Sequence, residues 1–207
     1  RKIDLKQIMI SVKINKIPAV ILVLIQIGGM GVVTVAAAVT IVSGRKIGLM
    51  QRSTMQEAVA APKMSGIVRL TGFIIRATLL IELSGAALLA PVFCRDFGPV
   101  RGLWMALFHS ISAFCNAGID LMGIRIPFSS LTLYAANPLV NLVIMALIII
   151  GGIGFLTWED IRSNQLHFGR YRMQSKVILT TTAILILFPA LYFYFGEFRQ
   201  GSFGTRV

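Results

Sequence analysis

The sequence predicts an all-α integral membrane protein built from repeated units. Each unit is a membrane-spanning helix, a short re-entrant helix with its loop, and a second span. Three observations predict this. Of 207 residues, 56% are hydrophobic and only 14% charged, with a mean hydropathy of +0.81; soluble domains typically carry about 45–50% apolar and 25% charged residues. The apolar residues come in blocks, several longer than the roughly 20 residues that cross a bilayer. A Gly-Gly-x-Gly motif occurs twice, 123 positions apart: Gln26-Ile27-Gly28-Gly29-Met30-Gly31-Val32-Val33-Thr34 resembles Ile149-Ile150-Gly151-Gly152-Ile153-Gly154-Phe155-Leu156-Thr157.

Residues 1–16 form a basic, atypical N-terminal segment with Arg1, Lys2, Lys6, Lys13 and Lys16. An apolar run over residues 17–42 follows, with Pro18 near its start. As a helix it would extend about 39 Å, enough to span with some tilt. Gly44, Arg45 and Lys46 end it, so residues 17–66 hold one span and a polar connector. A complete unit with its following loop occupies residues 67–176. Its first span, 67–93, carries Arg69, Arg76 and Glu82, and ends around Pro91 and Cys94-Arg95-Asp96. Residues 102–114 are apolar but too short to cross, which predicts a re-entrant or buried helix. Residues 115–120 and a turn-rich stretch to Asn137 lead to a span over 138–158. Pro138 opens it at a tolerated position, and Trp158 is an expected interfacial anchor. Residues 159–176 are a polar loop, and 177–207 begin another unit with a span to about Phe195.

The net charge of +12, from 20 Lys and Arg against 8 Asp and Glu, sits mostly between the apolar blocks. That pattern predicts membrane topology and anionic lipid contact rather than nucleic-acid binding, which would interleave aromatic and basic residues. Arg45, Lys46, Arg52, Lys63 and Arg69 lie at one connector, and Arg162, Arg170, Arg172 and Lys176 in the other; the opposite side holds only Arg95, Arg101 and Arg125. Nine against three places the connectors inside. The N-terminal segment then falls outside, against the same rule. Cys94 and Cys115 show no metal-binding spacing; packing is their usual role, and their place near the same predicted face of the membrane leaves a disulfide open.

The re-entrant unit carries the chemistry. Non-helical backbone at membrane depth is tolerated only where it is buried in protein or lines water. A short helix followed by a glycine-containing extended segment is how pores set peptide carbonyls around a dehydrated cation. The C-terminal end of the helix near Phe114 directs its negative dipole inward. Gly118 frees the backbone to aim carbonyls at an axis, and Asp120 at the outer mouth raises the local cation concentration. Spacing alone fits equally an ordinary outer loop with a turn at Asn116-Ala117-Gly118. The glycines Gly28, Gly29, Gly31, Gly151, Gly152 and Gly154 do not have dinucleotide-loop spacing and predict close helix packing. Arg76 and Glu82 are intramembrane charges about 240° apart around their helix, so each is expected to find other partners. His109 reads first as a packing histidine.

The run Phe108-His109-Ser110-Ile111-Ser112-Ala113-Phe114-Cys115-Asn116-Ala117-Gly118-Ile119-Asp120-Leu121 resembles the second pore helix and filter of the Trk/Ktr/HKT potassium transporters. The two glycine motifs, the second continuing as Trp158-Glu159-Asp160, resemble that family's post-filter helices, and the nearest likeness is to the Ktr-type membrane subunit. The resemblance covers residues 18–195. It implies four helix–pore-loop–helix repeats around one pseudo-fourfold pore, of which this chain holds an incomplete set: about four transmembrane helices and one re-entrant pore helix, as part of a longer chain. It implies potassium uptake at the plasma membrane, with sodium a candidate coupling ion and no covalently bound cofactor. It also implies a homodimer with a cytosolic nucleotide-binding regulatory subunit, for which the basic inner loops are candidate docking sites. Cys115, Asn116, Ala117, Gly118 and Ile119 would form the filter strand, with Gly118 as the filter glycine. Serine at that position would favour sodium. Two other functions compete: a non-conducting scaffold or assembly subunit, and a membrane hydrolase using Cys115 and His109. The hydrolase lacks an orienting acid.

Overall fold

The computed structural model describes residues 5–31, 48–59, 67–165 and 167–197. Arg45, Lys46 and Lys63 of the connector expected inside, the second part of the first expected span (32–42) and residues 198–207 lie outside the described residues. The helices are α1 (Leu5–Met30), α2 (Leu49–Val59), α3 (Ile67–Phe97), α4 (Pro99–Phe114), α5 (Pro138–Gly152), α6 (Phe155–Asn164) and α7 (Met173–Tyr192). No strand occurs among the described residues. Val68–Phe97 and Met173–Gly196 are each long and apolar enough to cross a bilayer, whereas the apolar part of α1, Ile17–Met30, is shorter.

Several boundaries differ from the sequence expectation for physical reasons. α1 begins at Leu5 and takes in most of the N-terminal segment set apart above; Leu, Lys, Gln and Met there are good helix formers. Pro18, Pro91 and Pro189 lie inside helices. Each forgoes a backbone hydrogen bond without stopping its helix. What ends α3 is Gly98, at φ 80° and ψ 165°, with Pro99 opening α4 immediately after. The span expected over 138–158 is two helices, separated by Ile153 and by Gly154 at φ 80° and ψ 154°.

The chain forms two compact units, residues 1–152 and 153–207. In the first, α4 packs against α3 and α5 and also touches α1. Its core joins Ile74, Leu89 and Phe93 of α3, Met105 and Phe108 of α4, and Val140 and Leu147 of α5. From Met105 to Phe114 every residue of α4 except Leu107 is buried. A helix buried nearly all round is an internal one. Small residues permit this, as expected where lipid supplies no hydrophobic drive between helices: a Cβ on Gly85 would come 2.5 Å from Ser110 Oγ and 2.8 Å from Leu147.

The loop after the site is fastened at its far end. Tyr134 donates its hydroxyl to Asp96 at 2.7 Å, and Arg125 lies 3.4 Å from the same oxygen. Burial and the Asp96 charge push the Tyr134 phenol up to about 12, so it remains a donor at neutral pH. Asn137 Oδ1 accepts the N–H groups of Leu139 and Val140, at 3.1 and 3.2 Å, and so caps α5 just before Pro138.

In the second unit, buried Asp160 accepts the Arg172 N–H at 3.0 Å and the Ser175 hydroxyl at 2.6 Å. A carboxylate thus caps the positive end of α7 from α6. Arg172 also meets Glu159 at 2.6 Å, so this expected docking residue is engaged internally; Arg170 is exposed. Trp158 is buried and packs edge-on against Phe155, rather than lying open as an anchor.

Candidate functional site

Residues 115–121 fold back along the last turns of α4. Cys115, Asn116 and Ala117 still donate their N–H groups to Ile111, Ala113 and Ser112, at 2.9, 3.1 and 2.9 Å. Asn116 (φ 53°) and Gly118 (φ 66°) then turn the chain in the left-handed region, where a side chain other than Asn or Gly is strained. Ser112 fixes the return: its hydroxyl donates to the Ile119 carbonyl at 2.5 Å and accepts the Ile119 N–H at 3.1 Å. His109 fixes the next step, with Nδ1 on the Met105 carbonyl at 2.7 Å and Nε2 accepting the Leu121 N–H at 3.3 Å. Those partners assign the neutral imidazole with its proton on Nδ1. Asp120 accepts the Met122 N–H at 2.8 Å, which starts the turn Met122–Ile124.

These bonds leave a row of peptide oxygens open. Among the described residues no donor reaches the carbonyls of Cys115, Asn116, Ala117 and Gly118. Residues 116–119 are exposed although α4 beneath them is buried. Ile119 differs from the four before it, because its carbonyl is already engaged by Ser112. A cavity of about 220 Å³ lies beside the segment, lined by His109, Ser112, Asn116, Gly118 and Asp120 among others.

The foot of the segment is gripped by two glycine turns. On one side, a Cβ on Gly151 would strike the Phe114 carbonyl oxygen, with Asn116 Nδ2 at 3.3 Å. Asn116 Nδ2 in turn reaches the carbonyls of Phe114 and Ile148, each at 3.4 Å. On the other side, a Cβ on Gly29 would strike the Cys115 thiol. The six glycines grouped above therefore divide. Gly29 and Gly151 make close contacts, Gly152 a looser one at 3.9 Å, and Gly28 none within 4 Å. Gly31 and Gly154 each adopt φ 80° where a helix ends.

The two intramembrane charges part company. Glu82 is buried and accepts the Gln26 amide N–H at 3.0 Å; the Cys115 thiol lies 3.9 Å from its other oxygen. Its peptide carbonyl accepts the Ser110 hydroxyl at 2.6 Å. Arg76 is exposed and in none of the ion pairs among the described residues. Both cysteines are free thiols. Sequence reasoning missed Gln26, Ser110 and Ser112. Their signal was a polar residue inside an otherwise apolar helix, a position that demands a partner.

A sequence model of the TrkH family, described as cation transport protein, matches residues 9–189. The chain is 35% identical over 192 residues to the potassium/sodium uptake protein NtpJ of Enterococcus hirae, covering 90% of this chain and 41% of that protein. It is 37% identical over 186 residues to the Ktr system potassium uptake protein B of Bacillus subtilis, covering 89% and 40%. The protein of the same description from Vibrio alginolyticus is 31% identical over 175 residues, covering 84% and 37%. The chain spans about two fifths of the length of these curated relatives.

Proposed function

Because the chain belongs to the TrkH family of cation transport proteins, we propose that it forms part of a potassium-uptake pathway across the plasma membrane. In this reading the segment beginning at Cys115 supplies one strand of the selectivity filter. The observation that carries it is the run of open carbonyls from Cys115 to Gly118, held at the foot of a buried short helix. A cation that sheds water needs oxygen ligands that cannot relax away, and the Ser112 and His109 bonds restrain this backbone. Gly118 serves as the filter glycine. Ile119 completes the strand as a tether rather than a ligand, and Asp120 shapes its outer end.

Relatives named as Ktr system proteins support a membrane subunit that works with other components, here a second copy and a cytosolic nucleotide-binding subunit. The Enterococcus relative is named for potassium and sodium uptake, which supports sodium as a second ion of the pathway; its part in this reading is that of coupling ion.

Gly118→Ser in the complete gene product tests the reading, with potassium and sodium uptake measured in cells lacking other uptake systems. The potassium preference should fall about tenfold, equivalent to ~1.4 kcal/mol. An unchanged preference, with the variant protein present in the membrane, refutes the filter assignment and favours a non-conducting scaffold.

A further inference from the structure

We infer that Glu82 is a positioning residue that supplies fixed negative charge to the foot of the filter strand, raising its occupancy by the transported cation. The inference rests on the filter reading above and adds a residue to it.

Three elements converge on this carboxylate: Gln26 of α1, Glu82 of α3, and Cys115 at the start of the strand. Both carboxylate oxygens face donors, an amide N–H at 3.0 Å and a thiol S–H at 3.9 Å, so each is placed as an acceptor. Gln26 gives its N–H to Glu82 while its own Oε1 stays buried with no partner among the described residues. That arrangement is costly unless the acceptor is charged, since hydrogen bonds to ions are the stronger kind.

No Lys, Arg or His lies within ion-pair distance of Glu82 among the described residues. A buried intramembrane charge without a basic partner is expensive and marks an ion path. The open carbonyls begin at the residue whose thiol it meets, so a cation held there lies beside this carboxylate. The site is also rigid. The backbone of Glu82 is tied to α4 through its peptide oxygen and Ser110, and its carboxylate is held by Gln26, so the charge keeps its place as the strand fills and empties.

The test compares Glu82→Gln and Glu82→Asp in the complete gene product. Potassium uptake is measured over a range of external potassium and normalised to protein in the membrane. Glu82→Gln keeps the shape and removes the charge. Removing a unit charge beside a poorly screened site lowers cation occupancy, so half-saturation should rise about tenfold with the maximal rate within about twofold. Glu82→Asp keeps the charge and should stay within about threefold of the native half-saturation.

Unchanged half-saturation in Glu82→Gln overturns the inference. So does an equal loss of membrane protein or maximal rate in both variants, which would make Glu82 a packing group. Gly118→Ser run alongside separates the two claims. If it alters ion preference while Glu82→Gln is silent, only this inference falls; if it is itself silent, the filter reading falls.

Discussion

At the end of α1, Gly28 and Gly29 occupy the last turn and Gly31 follows; at the end of α5, Gly151 and Gly152 occupy the last turn and Gly154 lies just beyond. The spelling is the same, and so is the backbone device, with φ 80° at Gly31 and at Gly154. The contacts differ. In α1 the second glycine of the pair meets the segment that follows α4, through the side chain of Cys115; in α5 the first one meets the end of α4 itself, through the carbonyl of Phe114. A repeated motif has therefore kept one task and divided another. Helix termination is a property of the local backbone and survives in both copies. Close approach depends on what lies opposite, and the two copies meet neighbouring residues, one through a side chain and the other through a peptide oxygen.

The largest expected effect follows from what each glycine touches. A Cβ on Gly151 meets a peptide oxygen, which can move only by shifting the end of α4 and the strand with it. Gly151→Ala should cost about 3 kcal/mol, the upper range for overpacking, and abolish potassium uptake. Gly29→Ala meets a thiol that can rotate, although the Cβ of Cys115 at 2.7 Å limits the relief, so its cost should be smaller. Thermal unfolding of the purified protein in detergent, with uptake in cells, gives the order. If Gly29→Ala were the more damaging, the view that a carbonyl contact is harder to relieve than a side-chain contact would be wrong.

The intermediate effect tests the shared task. Gly154 lies at φ 80° and ψ 154°, a region that residues other than glycine hardly enter. Gly31→Ala and Gly154→Ala should each cost about 2 kcal/mol by backbone strain, since both glycines lie at φ 80°; at Gly154 strain is the whole cost, because a Cβ there meets nothing within 4 Å. Similar losses in melting temperature for the two variants would confirm one device used twice. A harmless Gly154→Ala would show that the break before α6 is imposed by packing rather than by the glycine.

Much of this was legible in the sequence, and the exceptions share a cause. Composition and apolar runs report burial and length, so the all-helical membrane class and the short α4 emerged readily. A run such as residues 138–158 gives no sign of a break at Gly154, because a positive φ leaves the hydrophobic pattern intact. Prolines misled in the opposite direction: Pro18 and Pro91 look like boundaries, yet a helix surrounded by apolar neighbours has no competing structure and absorbs them. Within the site, Gly118 stood out by residue type and the segment from Cys115 to Ile119 only through the family resemblance, but the engagement of the Ile119 carbonyl by Ser112 depends on a hydroxyl seven residues back. The partner of Glu82 lies 56 positions away in another helix, beyond any local pattern.

The smallest effect is the sharpest test of the asymmetry. Gly28 is the counterpart of Gly151 in the repeat, but a Cβ there meets nothing within 4 Å. It lies inside α1, where alanine is the better helix former by up to about 1 kcal/mol. Gly28→Ala should therefore leave uptake unchanged and hold or slightly raise the melting temperature, while Gly151→Ala ruins both. If Gly28→Ala is damaging, the first glycine is a contact residue in both copies, and the apparent division of tasks between α1 and α5 disappears. If it is neutral while Gly29→Ala is not, the close contact has moved by one residue, about 100° around the helix, in keeping with the different group each copy meets.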